Sequence, residues 1–353
     1  MRQILRAMVA ILAVAALGGG GTVAFADHGP GEGAEQHGRH HRHGDHPGRG
    51  DGGAQPSAVY TLAEPQHGNP EGVAFDRRSG HFFVSATGDG SIYRGTLGDT
   101  ATPVPVFIPG AAGQSATGLK VRRGKLYVAG ASTGTIKVYD VDSGALLATF
   151  DTKGGDSSPT FVNDLDVTRR GDVYATDSAR PAIYHLSAAE IAAGTPAPKP
   201  IGPSDVITTS PEIPFTAGAF NLNGIVSRDS GRRDELIVVN SNTGQLFRIT
   251  VGRDGRRIQE LQVRGGPFPN GDGLLIDRGR LIVVQNSADG FPNGVVDFVA
   301  LRRDARKGIL QERRTDPSFQ DPSTIARARD EYLVVNPDFA TSTPPFTVTA
   351  LAR

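Results

Sequence analysis

The chain has 353 residues, no cysteine and no tryptophan, and its 37 Lys and Arg residues balance 37 Asp and Glu residues. Without cysteine it can carry neither a lipidated cysteine anchor nor a disulfide framework. The interspersed charges argue against a nucleic-acid partner, because such binding depends on concentrated basic surface.

The first 26 residues have the pattern of an export signal. Arg2 and Arg6 supply positive charge, residues 7–17 form a short apolar run, and residues 24–26 read A-F-A, a small-residue cleavage site. We therefore expect cleavage near Ala26 and a secreted, extracellular protein. No other stretch approaches membrane-spanning length, so we expect no membrane anchor after cleavage.

Residues 27–57 form a second segment that we expect to lie outside the fold. They include almost no apolar side chain, so burial cannot offset the entropy lost on ordering them. Six of the nine histidines lie here, namely His28, His37, His40, His41, His43 and His46. Two hypotheses are open: a flexible tail that binds transition metals loosely through imidazole, and a soluble linker between signal and domain.

Residues 58–353 show short apolar runs separated by turns rich in glycine, with one short helical pattern at residues 187–193. A motif recurs six times: a polar residue, usually glycine, then two apolar runs separated by a turn. The residues that precede the first run of each unit are Glu71, Thr117, Asn163, Asn223, Asp272 and Ser323. Units of about fifty residues are typical of the four-stranded blades of a propeller.

The sixth unit lacks one strand, and residues 58–63 (A-V-Y-T-L-A) precede the first unit. This segment can complete the last blade and so remove an open sheet edge. We therefore predict an all-β fold, a six-bladed β-propeller whose ring is closed by an N-terminal strand in the last blade. An insertion rich in Pro and Ala, residues 187–220, lengthens the third unit.

The six recurring polar residues predict a cation site. Equivalent positions before the inner strands of a propeller should form one ring at one mouth of the channel. All six carry side-chain oxygen, and such ligands suit Ca²⁺ better than Mg²⁺, with Mn²⁺ and Zn²⁺ as further options. We predict a divalent metal bound by four of them, namely Glu71, Asn163, Asn223 and Asp272.

Polar residues also favour turns and strand entries, where they bond to backbone. For Thr117 and Ser323 we prefer that interpretation, or a supporting role in the ring. Asp164 directly follows Asn163. Strand alternation predicts that Asp164 points away from the channel side, where it would support the site by hydrogen bonding.

Several stretches resemble the SMP-30/gluconolactonase/LRE-like group of six-bladed, calcium-dependent propellers. P-E-G-V-A-F-D followed by F-F-V-S and G-S-I-Y-R resembles the first blade, and V-N-D-L-D-V, L-N-G-I-V and G-D-G-L-L-I-D look like later ones. The resemblance implies a divalent metal, usually Ca²⁺, at the channel mouth, and lactonase activity. It also implies ligands at Glu71, Asn163, Asn223 and Asp272.

Sugar-lactone members of that group tend to place an arginine near the metal, and here Arg122 and Arg180 are candidates only by default. Four phenylalanines near the repeat positions predict an apolar rim, namely Phe161, Phe220, Phe268 and Phe291. We therefore expect a substrate less polar than a sugar lactone.

The leading hypothesis is a secreted, metal-dependent lactonase or esterase acting on a small-molecule lactone or ester. Asp272 is the predicted general base and Glu71 the main charge-neutralising ligand. The alternative is a non-catalytic secreted binding propeller with a structural Ca²⁺. A third hypothesis, a redox-metal protein resembling superoxide dismutase, would use the His-rich tail, because the domain holds only His67, His81 and His185. The oligomeric state is left open.

Overall fold

The computed structural model describes residues 57–229, 233–252 and 255–353. The predicted export signal and the histidines predicted to bind metal lie outside these ranges. Among the described residues, no helix is long and apolar enough to cross a membrane.

Twelve strands form from the apolar runs of the first half of the chain. They are β1 (Ala58–Thr61), β2 (Pro70–Phe75), β3 (His81–Ala86), β4 (Ile92–Thr96), β5 (Val106–Ile108), β6 (Leu119–Arg122), β7 (Lys125–Ala129), β8 (Thr135–Asp140), β9 (Leu146–Asp151), β10 (Val162–Val167), β11 (Val173–Asp177) and β12 (Ala182–Leu186).

Helix α1 (Ala188–Ala192) follows within the predicted insertion, where Ser187 and Glu190 form a capping box. The remaining strands are β13 (Pro198–Pro200), β14 (Val206–Thr208), β15 (Leu222–Asp229), β16 (Asp234–Asn240), β17 (Leu246–Gly252), β18 (Gly255–Glu260), β19 (Gln262–Arg264), β20 (Gly271–Asp277), β21 (Arg280–Gln285), β22 (Val295–Leu301), β23 (Lys307–Arg314), β24 (Ile325–Ala328), β25 (Glu331–Asn336) and β26 (Thr347–Ala352).

The strands form six sheets, which are the blades of a β-propeller. We number the blades 1 to 6 by their inner strands, which are β2, β6, β10, β15, β20 and β24. Each inner strand contacts the next, and β24 contacts β2, so the ring is closed. The predicted six-bladed all-β fold is confirmed.

The ring closes inside blade 6, as predicted. Strand β1 pairs antiparallel with β26, from Ala58 opposite Ala350 to Thr61 opposite Thr347. The last blade therefore combines both ends of the described domain, and β26 is not left as an open edge.

Two blades carry a fifth strand that the sequence pattern did not indicate. Within the predicted insertion, β13 pairs parallel with β9 of blade 2, and β14 becomes the outer strand of blade 3. Strand β19 pairs parallel with β23 of blade 5. These short strands cover outer edges that would otherwise expose unpaired backbone groups.

The hydrophobic core of the described domain lies between the blades. Six clusters of buried side chains fill the six junctions between neighbouring blades. Along β3, Phe82 and Val84 face blade 6 while Phe83 faces blade 2. Both faces of a blade are therefore buried, which explains why the middle strands are almost continuously apolar.

Candidate metal centre

The four predicted ligands share a backbone distortion. In β10, Val162 pairs with Asp177 and Leu165 with Ala175, so two residues of the inner strand lie opposite one residue of the next strand. The same β-bulge occurs in β2, β15 and β20, and each bulge contains one predicted ligand and the residue after it. A bulge redirects a side chain that regular alternation would place elsewhere. Glu71, Asn163, Asn223 and Asp272 are therefore presented by one repeated local geometry.

The glycine that usually follows the ligand has a steric reason. A Cβ on Gly72 would lie 2.3 Å from the backbone oxygen of Thr117, and a Cβ on Gly224 would lie 2.0 Å from that of Asp272. In blades 1, 2, 4 and 5 the inner strand thus packs with bare backbone against the ring position of the next blade, whereas blades 3 and 6 carry Asp164 and Thr324 there. Only glycine permits this approach, so the repeated Gly indicates close backbone contact between neighbouring inner strands.

Each predicted ligand has one buried side-chain oxygen without a hydrogen-bond partner. These atoms are Glu71 Oε2, Asn163 Oδ1, Asn223 Oδ1 and Asp272 Oδ1. All four residues are less than a tenth exposed, at 5%, 3%, 7% and 4% respectively. Leaving a buried polar atom unpaired costs about 1–3 kcal/mol, so four at equivalent positions indicate a ligand that binds them together.

Two neighbouring side chains orient this set. The Asn163 Nδ2 donates to Ser178 Oγ at 2.8 Å, and the Asn286 Nδ2 donates to Asp272 Oδ2 at 2.9 Å. Asn163 Oδ1 and Asp272 Oδ1 are left without a hydrogen-bond partner. Sequence reasoning missed Ser178 and Asn286, although both directly follow the second strand of a ligand-bearing blade. A search for polar residues at that repeat position would have found them.

Three carboxyl groups of the channel lie within reach of one another's charge. Burial raises the pKa of Glu71 well above its ordinary value, and the charges of Asp272 and Asp164 raise it further. Burial raises the pKa of Asp272 to about 7, against a hydrogen bond from Asn286. Burial likewise raises the pKa of Asp164 to about 6, against the charge of Lys120. A divalent cation would favour the ionised forms of such a group.

The predicted direction of Asp164 is wrong. Because Asp164 is the second residue of the β10 bulge, strand alternation fails at that point. Its carboxylate is close enough to Glu71 and Asp272 to raise their pKa values. It accepts hydrogen bonds from the backbone N–H of Leu165 at 2.8 Å and of Ile225, in blade 4, at 3.3 Å. Asp164 therefore joins the carboxyl cluster and also ties two blades together.

Thr117 and Ser323 lie in the ring but use their hydroxyls differently. Thr117 Oγ1 donates to the backbone oxygen of Val162 at 3.0 Å. Ser323 Oγ donates to the backbone oxygen of Glu71 at 2.6 Å, as does Thr324 Oγ1 at 2.6 Å. Both residues bond the backbone of the neighbouring blade, and Thr117 also bonds the Ala129 oxygen of its own blade at 3.3 Å. They hold the ring together, and Ser323 positions the main chain of Glu71.

Neither of the two arginines considered for the site contributes to it. Arg180 donates from Nε to the Pro159 oxygen at 3.0 Å and from a terminal nitrogen to the Ser158 oxygen at 2.7 Å. Arg122 lies at the far end of β6, where it lines a cavity at the opposite mouth of the channel.

The predicted apolar rim is smaller than expected. The rings of Phe161 and Phe220 meet edge to face with centroids 5.1 Å apart, and both are partly exposed. Phe268 is instead 1% exposed and belongs to the core between blades 4 and 5, so it is not a rim residue. Phe291 packs beneath Arg313, with the guanidinium carbon 5.2 Å from the ring centroid.

The histidines of the domain do not converge on one site. His67 Nδ1 lies 2.6 Å from Asp89 Oδ2, His81 contacts Thr96, and His185 stacks on Tyr174. Over the described ranges, no three His, Cys, Asp or Glu side chains form a group that could hold a metal ion. The candidate centre therefore depends on its two amide oxygens as well as its carboxylates.

No protein-family model matches the chain, and no curated protein matches it in sequence. Solved structures with the same fold include a luciferin-regenerating enzyme, with TM-score 0.56, 12% identity, and coverage of 84% of this chain and 95% of that one. The calcium-binding protein regucalcin from Agrobacterium tumefaciens matches with TM-score 0.56, 16% identity and coverage of 84% and 96%. A gluconolactonase from Xanthomonas campestris matches with TM-score 0.55, 16% identity and coverage of 84% and 90%. All three are SMP-30/gluconolactonase-like six-bladed propellers, so the resemblance inferred from the sequence is confirmed at the level of the fold.

Proposed function

We propose that the chain is a secreted, calcium-dependent hydrolase of small lactones or esters. Its divalent cation would be held at the channel mouth by Glu71, Asn163, Asn223 and Asp272. The observation that carries the proposal is the set of four buried, unpaired oxygens, each on its own β-bulge. Export rests on the N-terminal signal pattern alone.

The donor set favours Ca²⁺. Two carboxylates and two amide oxygens are hard ligands of mixed charge, which suit the flexible coordination of Ca²⁺ better than the strict octahedron of Mg²⁺. When bound, the cation would balance the buried negative charge and polarise an ester carbonyl. The regucalcin that shares the fold is described as a calcium-binding protein, which is consistent with this choice.

Asp272 is the residue that we assign to proton removal from the attacking water. Asn286 holds one of its carboxylate oxygens at 2.9 Å and leaves the other without a partner. One lone pair of that free oxygen would bind the cation, and its other lone pair would accept the proton at a defined position. Ser323 and Thr324 hold the backbone of Glu71, so the opposite side of the site is also positioned.

The substrate class follows from the groups beside the site. Phe161 and Phe220 form a partly exposed aromatic pair next to the strands that carry Asn163 and Asn223. Such a pair would pack against an apolar substituent and exclude water from it. Because Arg180 is hydrogen-bonded to the Ser158 and Pro159 carbonyls of the loop before β10, it does not provide a cationic contact for a polyhydroxylated ring. We therefore favour lactones or esters with an apolar substituent.

The proposal is tested by measuring metal content and hydrolysis together. We expect one Ca²⁺ per chain, hydrolysis of a member of a lactone and aryl-ester panel, and loss of both on chelation. Asp272→Asn should retain folding and lower the turnover number by about a hundredfold or more. Asp304→Asn, a change of the same kind at an exposed position, should leave turnover unchanged. Hydrolysis that survives complete chelation would contradict the proposal.

A second candidate is a non-catalytic binding propeller in which the cation only stabilises the fold. The observation that favours it is the engagement of Arg180 by the Ser158 and Pro159 carbonyls. This candidate predicts stoichiometric Ca²⁺ and a higher melting temperature with calcium, but no turnover on any lactone or ester. Both candidates therefore predict one bound Ca²⁺ per chain, and only the hydrolase predicts turnover of a lactone or ester.

A further inference from the structure

A cavity of about 720 Å³ opens at the end of the channel opposite the candidate metal centre. Its walls include the later residues of the inner strands β6, β10, β15 and β20. The opposite ends of these strands lie at the ring of recurring polar residues. Residues such as Lys120 and Val226 follow the ring positions by three places, which is roughly 10 Å along a strand. We propose that this cavity is a second binding site, specific for an organic anion that joins an apolar body to a carboxylate, sulfonate or phosphate.

The charge of the lining favours an anion. Six of its side chains are Lys or Arg and two are Asp. Lys120 pairs with Asp166 at 3.5 Å, and Arg170 pairs with Asp234. The two acidic groups of the cavity are thus each matched with a cation. Arg228 is also paired, with Glu235 beside the cavity. Among the lining residues basic side chains still outnumber acidic ones by six to two, which raises the local concentration of anions.

Arg122 is the side chain best placed to bind the anionic group. It lies in the cavity wall at the end of β6, partly buried. Its Nε is buried and has no hydrogen-bond partner among the described residues. Over the described ranges the Arg122 side chain has no hydrogen-bond or ion-pair partner, so its guanidinium can turn toward an anion in the cavity. A carboxylate or phosphate oxygen is the acceptor that matches the geometry of a guanidinium.

The remaining lining explains why the ligand should be organic. Val167, Val226, Leu275 and Ile276 form an apolar part of the same wall. The volume falls within the range of roughly 300–1,000 Å³ that small-molecule sites occupy. An inorganic anion would satisfy Arg122 but leave these side chains facing water.

The cavity is separated from the candidate metal centre. Between them, a constriction lined by Lys120, Asp164 and Leu274 has a free volume of about 10 Å³. That space is of the order of one water molecule, so a ligand in the cavity cannot reach the metal ligands. The second site should therefore function whether or not the first one binds a cation.

The test uses 8-anilinonaphthalene-1-sulfonate, an aromatic sulfonate, and N-phenyl-1-naphthylamine, its neutral counterpart. Fluorescence titration of the full mature chain should show one saturable site for the sulfonate, weakened by added salt, and at least about tenfold weaker binding of the neutral amine. Arg122→Gln should weaken sulfonate binding about tenfold. Arg257→Gln, which removes an exposed arginine outside the cavity, should not change it.

Three results would overturn the assignment. These are equal affinity for the two probes, sulfonate affinity unchanged by Arg122→Gln in a protein of unaltered melting temperature, and loss of sulfonate binding on chelation or in Glu71→Gln. The last result would place the anion at the metal centre. Inorganic phosphate should displace the sulfonate only weakly. If phosphate binds the site as tightly as the sulfonate does, the proposed specificity for an organic anion is also ruled out.

Discussion

Glu71, Asp164 and Asp272 are three buried carboxyl groups, and the charges of the two aspartates raise the pKa of Glu71. Burial removes water that would stabilise their charges, so without a counter-ion the pKa of each group lies above its ordinary value. Lys120 is the nearby cation, and its charge lowers the pKa of Asp164 only in part. The residues themselves therefore predict how stability and metal binding depend on pH.

Calcium should stabilise the protein more at pH 8 than at pH 5. In the folded protein the pKa is about 6 for Asp164 and about 7 for Asp272, above the ordinary value of 3.8. A raised folded-state pKa means that the metal-free protein loses stability as pH rises from about 4 to about 7. A cation at the proposed site would favour the ionised forms of these groups, so the effect of Ca²⁺ should grow across that window.

The measurement is the melting temperature with and without calcium at both pH values. Glu71→Gln, which removes one of the three charges, should reduce the calcium effect at pH 8. An equal gain at pH 5 and pH 8 would mean that calcium acts away from these carboxyl groups.

At the scale of the element, the bulged inner strand is the unit that builds the centre. The bulge turns the predicted ligand into the channel, and the glycine after it lets the strand approach the next blade. Gly224 stands closest, since its added Cβ would lie 2.0 Å from the backbone oxygen of Asp272. The position of Asp272 in blade 5 thus depends directly on the backbone of blade 4.

Gly224→Ala should lower both stability and metal affinity. The methyl group collides with main chain that cannot move without displacing Asp272, and overpacking of this kind costs about 1–3 kcal/mol. Calorimetry of unfolding and calcium titration would measure the two effects. Gly252→Ala is the matched control, because its added Cβ would lie no closer than 3.4 Å to any neighbour. A variant with normal calcium affinity would show that the strand contact does not position Asp272.

For the whole molecule, stability depends on closing a ring of blades that each bury two faces. Blade 6 is completed by β1, whose Tyr60 is 1% exposed and packs with Phe82 of blade 1 at a centroid distance of 4.8 Å. The far end of the same blade is tied to blade 5, because Arg353 Nε lies 2.6 Å from Asp277 Oδ2. Both connections join blade 6 to a neighbouring blade, one to blade 1 and the other to blade 5.

Removal of β1 should open the ring. A chain that starts at residue 64 loses the buried side chains of Tyr60 and Leu62 and exposes the edge of β26, and we expect a fall of roughly 10 °C in melting temperature with increased aggregation. A chain that starts at Ser57 keeps β1 and serves as the control. Equal melting temperatures for the two chains would show that β1 does not stabilise the closed ring.

Much of the candidate site was predictable from the chain because it is encoded by a repeat. Glu71, Asn163, Asn223 and Asp272 precede apolar runs at regular intervals, and a regular repeat of strands places equivalent residues in one ring. The completion of the last blade followed from a strand count. These features depend on local pattern and on the number of repeat units, and both can be read from the sequence.

Other features were decided only by tertiary packing. The bulge in β10 turned Asp164 toward the carboxyl cluster, and packing between blades 4 and 5 buried Phe268 in the core. The pairing of β13 with blade 2, and the cavity around Arg122, join residues from different repeats. The sequence by itself determined the blades, their number and the ring positions, because those depend on period and composition. Only the folded ring decided which side chains meet across a junction, because that depends on distances between segments that are far apart along the chain.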